Sequence, residues 1–149
     1  YWDQAVYKKP GTKDEFPWHQ DNGYTFIEPQ AYLTCWVALT DTDETNGCPC
    51  VMPGMHKKGT LHHEMTDIGY EIPLDSSDSV VLPLKAGSIA VFSSLTPHRT
   101  GPNFNKDIRK AYILQYAPEG SRRLISHSLT EEVNEESRQY FVIKNGSKV

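Results

Sequence analysis

The chain has 149 residues, an ordinary length for one domain and enough to enclose a core. Nineteen acidic against fifteen basic residues leave a net charge of −4, and no basic stretch offers a footprint for a phosphate backbone, which argues against nucleic-acid partners. No apolar run reaches bilayer-spanning length, Tyr1-Trp2-Asp3-Gln4 lacks the regions of a signal peptide, and three cysteines, an odd number, fit reduced thiols; a soluble cytoplasmic protein without a membrane partner is expected.

Along the chain, short β-branched and aromatic runs alternate with Gly, Pro, Asn and Asp clusters, which predicts an all-β, antiparallel sandwich or barrel with few helices. Lys8-Lys9-Pro10 leads to Trp18-His19-Gln20-Asp21. If that segment is extended, residues two apart share a face, so His19 and Asp21 aim into one pocket while Gln20 turns away. Strands are expected over 32–39, 79–82, 88–92 and 111–116, with turn chemistry at Asn46-Gly47, Pro53-Gly54, Ala86-Gly87 and Thr100-Gly101-Pro102-Asn103. His98 closes the run that starts at Phe92, and Arg109 begins the strand that continues from Ala111. The acidic stretch 130–138 is helix-friendly, with Thr130 a candidate cap and early glutamates suited to the positive end of a helix dipole, and is expected to pack outside the barrel or to be a solvated surface segment. No internal repeat is found.

A lone His-x-Asp is most simply a polar turn or strand edge, and gains meaning here from His98 and Arg109. Two imidazoles and one carboxylate form the donor set of a non-haem ferrous centre: they occupy one face of an octahedral metal and leave positions open for a co-substrate and dioxygen. Arg109, eleven residues beyond His98, offers a guanidinium that reads a carboxylate bidentately at any working pH, and Thr100 adds a hydroxyl. If the segments ending at His98 and starting at Arg109 are adjacent antiparallel strands, the loop between them carries the ligand at one side and the anion anchor at the other. Cys48, Cys50, His56, His62 and His63 lie close enough in sequence to hold a structural zinc, but one residue between the thiols is poor spacing and loop residues are the better reading. His127 reads as a surface residue. Tyr24 and Phe26, just after the metal motif, are candidates for a substrate wall.

These residues carry a resemblance to the phytanoyl-CoA dioxygenase family of iron(II)- and 2-oxoglutarate-dependent oxygenases. It runs from Lys8-Lys9-Pro10 through Trp18-His19-Gln20-Asp21, Trp36-Val37-Ala38-Leu39-Thr40-Asp41, Asn46-Gly47-Cys48, Pro53-Gly54-Met55-His56-Lys57 and Pro97-His98-Arg99-Thr100-Gly101 to Arg109. The resemblance implies a double-stranded β-helix, the cupin-like jelly roll, with His19, Asp21 and His98 as iron ligands. It further implies that Arg109 and Thr100 bind the distal carboxylate of 2-oxoglutarate, that Gln20, Trp36 and Lys8 line the co-substrate, and that His56 belongs to the pocket. The implied reaction uses Fe(II), 2-oxoglutarate and O2 to hydroxylate or otherwise oxidise a C–H bond of a small organic molecule, with succinate and CO2 as co-products. Related halogenases lack the carboxylate, so Asp21 favours C–H oxidation.

Family members usually begin with helices and a strand upstream of the metal motif, whereas eighteen residues precede His19; a single domain over 1–149 without that N-terminal helical part is expected. Met55 stands where the family favours a small hydroxyl residue. The rival reading is a non-catalytic cupin-like module that binds a metal or ligand, and Arg109 with Thr100 discriminates, since such a module has no need of an anion anchor. An oxygenase acting on protein is disfavoured by the Trp-His-Gln-Asp and Pro-Gly-x-His elements. Acyl-CoA thioesters, amino-acid-like solutes and secondary metabolites all occur as substrates in the family, and nothing in these residues selects among them or sets an oligomeric state.

Overall fold

The structure, a computed structural model, describes residues 1–30, 32–127, 130–133 and 139–149. In chain order its elements are β1 (Trp2–Lys8), β2 (Phe16–His19), the one-turn helix α1 (Asp21–Tyr24), β3 (Ile27–Glu28), β4 (Leu33–Ala38) and β5 (Pro49–Val51). A 3-10 turn (Met55–Lys58) precedes β6 (Glu64–Thr66), β7 (Gly69–Glu71), β8 (Val80–Val81), β9 (Ile89–Ser93), β10 (His98–Thr100) and β11 (Arg109–Tyr116). The last strands are β12 (Arg122–Leu124), β13 (Thr130–Glu132), β14 (Ile143–Lys144) and β15 (Ser147–Lys148). No described helix is long and apolar enough to cross a membrane.

Two four-stranded antiparallel sheets form the jelly roll, in orders β1-β11-β4-β9 and β2-β10-β5-β8. Alternation decides which side chains meet between them. Thr34, Trp36 and Ala38 of β4, Arg109, Ala111 and Ile113 of β11 and Ala90 of β9 are buried, while Ile89 and Val91 are more than half exposed. Trp36, Ala38, Ala90, Ala111 and Ile113 make one core cluster. On the second sheet His98 pairs with both His19 and Val51, and the intervening residues Trp18 and Cys50 join Met52 and Ile72 in a separate cluster. The histidines and the tryptophan of the Trp18-His19 pair therefore serve opposite faces.

Three expectations are corrected. The segments around His98 and Arg109 are not neighbouring strands. β9 ends at Ser93, the chain turns through a Thr96 N–H to Ser93 carbonyl bond of 2.8 Å, and β10 starts at His98 in the second sheet, whereas β11 lies in the first. Asp21 is not in a strand: Gln20 is extended (φ −109°, ψ 140°) and Asp21 opens α1. Thr130 starts a strand instead of capping a helix, because β13 is held to β12 by Arg122 Nε donating to Thr130 Oγ1 at 2.8 Å and by an Arg123–Glu131 ion pair. Residues 134–138 of that expected helix lie outside the described residues.

Candidate active site

The extended Gln20 between the end of β2 and the start of α1 sets His19 and Asp21 on one side, and the β2–β10 register brings His98 directly opposite His19. The Nε2 atoms of His19 and His98 each lie 3.8 Å from Asp21 Oδ1, and the three ligating atoms fall within 4.8 Å of one another. Each imidazole is oriented by its own backbone: His19 Nδ1 is 2.8 Å from the Pro17 carbonyl oxygen and His98 Nδ1 is 3.0 Å from that of Thr96. A carbonyl oxygen only accepts, so Nδ1 carries the proton in both rings and Nε2 is left as the metal-facing lone pair. Burial, with the neighbouring His98 second, pushes His19 well below the usual imidazole pKa and keeps it in the neutral, ligating form. Thr34 Oγ1 donates to Asp21 Oδ2, fixing the carboxylate so that Oδ1 faces the histidines.

The other end of the inter-sheet space is cationic. Arg109 is 1% exposed, its guanidinium carbon lies 5.4 Å from the Trp36 ring centroid, and Nε, Nη1 and Nη2 have no hydrogen-bond partner. A buried guanidinium with three idle nitrogens is costly unless an anion meets it. Burial lowers its pKa to about 10, opposed by Cys48, so it remains charged at neutral pH. Lys8, paired with Arg109 across β1 and β11, reaches the second sheet, where its Nζ donates to the Gly101 carbonyl and lies 3.4 Å from Thr100 Oγ1. Burial and the Arg109 charge lower Lys8 to about 8. Gly47 closes this end: its φ of +84° suits glycine, and a Cβ there would lie well inside contact distance of the Gly101 carbonyl.

Trp36 and Lys8 thus flank Arg109, and Thr100 is within reach of Lys8. Gln20 is placed elsewhere. Its side chain donates to the carbonyls of Gly59 (2.9 Å) and Leu95 (2.6 Å) and accepts from the Leu61 N–H (2.7 Å), so it ties three loops together and has no donor left for a co-substrate. His56 is exposed on its 3-10 turn, away from the cleft described below, and His127 is exposed as well. Cys48 and Cys50 are buried and free, and burial pushes the Cys48 thiol up to about 11. Among the described residues the triad is the sole group of three such side chains close enough to share a metal. Two residues that support the motif escape sequence reading. Thr34 was legible only as a buried position two before Trp36, and His63 accepts the Gln20 N–H at Nε2 (3.0 Å) from 43 residues away. The His63 ring also fills the space beside Gly23 that a Cβ there would need.

An open cleft of about 1140 Å3 begins at His19 and Asp21 and runs out past the edge strands β1 and β2. Phe16 and Tyr24 stack at 6.2 Å, and both pack edge-on against the His19 ring, at 4.6 and 5.4 Å. Phe26 does not line it.

A jelly roll that presents two imidazoles and one carboxylate between its sheets defines a double-stranded β-helix protein with a candidate metal centre. The chain belongs to the phytanoyl-CoA dioxygenase (PhyH) family, whose profile matches residues 1–111. It is 32% identical over 115 residues to a phytanoyl-CoA dioxygenase of Arabidopsis thaliana, covering 73% of this chain and 41% of that protein. It is 30% identical over 142 residues to the methylphosphonate hydroxylase of Gimesia maris, covering 95% and 52%. Among solved structures, EvdO2 of Micromonospora carbonacea var. aurantiaca, complexed with 2-oxoglutarate, matches with a TM-score of 0.72 and 28% identity over 90% of this chain and 54% of that one. The apo form of the non-heme monooxygenase ThoJ shares the fold, with a TM-score of 0.75 at 24% identity over 98% and 53%. The chain spans about half the length of the curated relatives it matches.

Proposed function

We propose that the protein is an Fe(II)- and 2-oxoglutarate-dependent dioxygenase that oxidises a C–H bond of a small organic molecule. The balance is one 2-oxoglutarate, one O2 and one R–H giving succinate, CO2 and R–OH. The observation that carries the reading is Arg109, buried with three unpartnered guanidinium nitrogens between the same sheets as a His-Asp-His triad. A metal-binding module needs the triad alone, and a dicarboxylate co-substrate needs both ends.

His19, Asp21 and His98 would hold the iron, which when bound supplies dioxygen activation coupled to keto-acid decarboxylation. The remaining tasks fall to the chain's own groups. The Pro17 and Thr96 carbonyls hold both Nδ1 protons so that neither ring can rotate its lone pair away. Thr34 keeps Asp21 from turning toward solvent. Arg109, with Lys8 and Thr100, holds the distal carboxylate and so fixes the register of the keto-acid along the inter-sheet axis. Phe16 and Tyr24 screen the His19 side of the centre from bulk water.

Incubation with Fe(II), O2 and 2-oxoglutarate tests the reading. Succinate is expected to form in proportion to 2-oxoglutarate consumed, and to disappear in Asp21→Ala. Succinate formed at the same rate without iron, or by Asp21→Ala, would overturn it.

A further inference from the structure

The two ends of the site differ in charge, and the difference bears on the substrate. Arg109, Lys8 and Thr100 are absent from the lining of the cleft that opens on the other side of His19 and Asp21. Among the described residues Arg123 is the one cationic side chain lining that cleft, and it is ion-paired with Glu131; the amino group of Tyr1, also in the lining, donates to the Gln115 carbonyl. Asp3 lines it as well, and so does Glu132, which lies 3.7 Å from the Arg122 guanidinium. The apolar part of the wall combines aliphatic side chains, Val142 at 50% exposure among them, with ring surface: Trp2 is 49% exposed, Phe16 42% and Tyr24 41%, and it is the last two rings that flank His19. Exposed aromatic faces beside a reactive centre, with carboxylates around them and no idle cationic side chain among the described residues, attract flat apolar bodies and ammonium groups. They repel phosphates and phosphonates, for which like-charge juxtaposition is a strong penalty.

We propose that the substrate is a ring-bearing molecule carrying no anionic group, neutral or ammonium-bearing, and is not an acyl-CoA, a phosphate ester or a phosphonate. The proposal rests on the oxygenase reading above. It separates this chain from its relatives named for phytanoyl-CoA and methylphosphonate, although the fold and the triad are of the same kind. A nucleotide- or phosphate-activated precursor must lose its phosphate before it reaches this cleft.

The test loads the protein anaerobically with Fe(II) and 2-oxoglutarate and follows the visible charge-transfer band of the chelated keto-acid. Three probes share one ring and differ in the head group: 2-phenylethanol, phenethylamine and 2-phenylethyl phosphate. n-Butylamine serves as the control without a ring. The alcohol and the amine are expected to perturb the band with a Kd at least roughly tenfold below that of the phosphate, and phenethylamine to bind more tightly than n-butylamine. Glu132→Lys, at an exposed position, is expected to narrow the gap by improving the phosphate. A phosphate that binds as well as the alcohol, no binding by any ring probe, or a gap unmoved by Glu132→Lys would each overturn the proposal. Absence of the band before any probe is added is a different failure: it overturns the oxygenase reading, and this proposal with it.

Discussion

Replacing Arg109 by methionine separates the cost of burying that cation from the benefit of pairing it. In the ligand-free protein the guanidinium is 1% exposed and none of its three nitrogens has a partner. The Trp36 ring, 5.4 Å from the guanidinium carbon, returns roughly 0.5–2 kcal/mol. Against this stands the desolvation of an unpaired charge, and exchanging buried charged groups for apolar ones of similar volume is often stabilising by about 1–4 kcal/mol. Arg109→Met is therefore expected to keep or raise the melting temperature of the ligand-free protein. Its effect on 2-oxoglutarate has the opposite sign. Removing one partner of a buried, hydrogen-bonded charge pair costs about 2–5 kcal/mol, roughly a 30- to 5000-fold rise in Kd. Iron affinity should stay within about threefold, because Arg109 touches none of the three ligands. Thermal melts with and without 2-oxoglutarate, beside anaerobic titrations of both ligands, read all three quantities. A variant that loses stability without ligand yet binds 2-oxoglutarate normally would refute the reasoning, since Arg109 would then be a packing residue and not an anion anchor.

Thr34→Val removes the hydroxyl that donates to Asp21 Oδ2, and metal affinity measured by competition with a chelator is expected to fall roughly 10- to 100-fold while strand β4 stays intact. Unchanged affinity would show that Asp21 holds its orientation unaided. Lys8, lowered to about 8, is charged below that pH and neutral above it, so the Kd for 2-oxoglutarate should rise as pH passes from 7 to 9, with the titration shifted upward in the complex because the bound carboxylate favours the ammonium. Lys8→Met should flatten that profile, and a wild-type profile already flat would exclude Lys8 from the anchor. Gly47→Ala forces a β-carbon against the Gly101 carbonyl and 3.0 Å from that of Pro102, at a φ of +84°. A loss of roughly 2–4 kcal/mol in urea unfolding is expected, and a neutral result would mean that the 101–102 segment yields freely.

What sequence could and could not reveal follows from the range of the interactions involved. Period-two alternation within 32–39 and 111–116 is local, and both segments became strands with Thr34, Trp36, Ala111 and Ile113 facing inward, as burial of alternate residues requires. His19, Asp21, His98 and Arg109 were legible because their chemistry is rare in that combination. Which sheet each belonged to was not legible: the crossing between β9 and β10 depends on pairing of β10 with β2 and β5, partners 79 and 47 residues away, which no local pattern records. The helix expected from Thr130 failed for a related reason. Its glutamates read as first-turn acids, but Glu131 and Glu132 face Arg123 and Arg122 across a strand pair, a tertiary contact that outweighs propensity. Gln20 shows the limit of resemblance, since its side chain serves Gly59, Leu61 and Leu95, three positions in loops that sequence could not bring together.

The central claim is that one inter-sheet space holds iron at the His19, Asp21 and His98 end and a keto-acid carboxylate at the Arg109 end. Anaerobic titration with Fe(II) and then 2-oxoglutarate reads it most directly through the visible charge-transfer band of the chelate. The account predicts a band that saturates at one keto-acid per chain, is lost in Asp21→Ala, and needs far more 2-oxoglutarate in Arg109→Met. Iron bound with no band on adding the keto-acid would contradict it and leave a metal-binding module in its place.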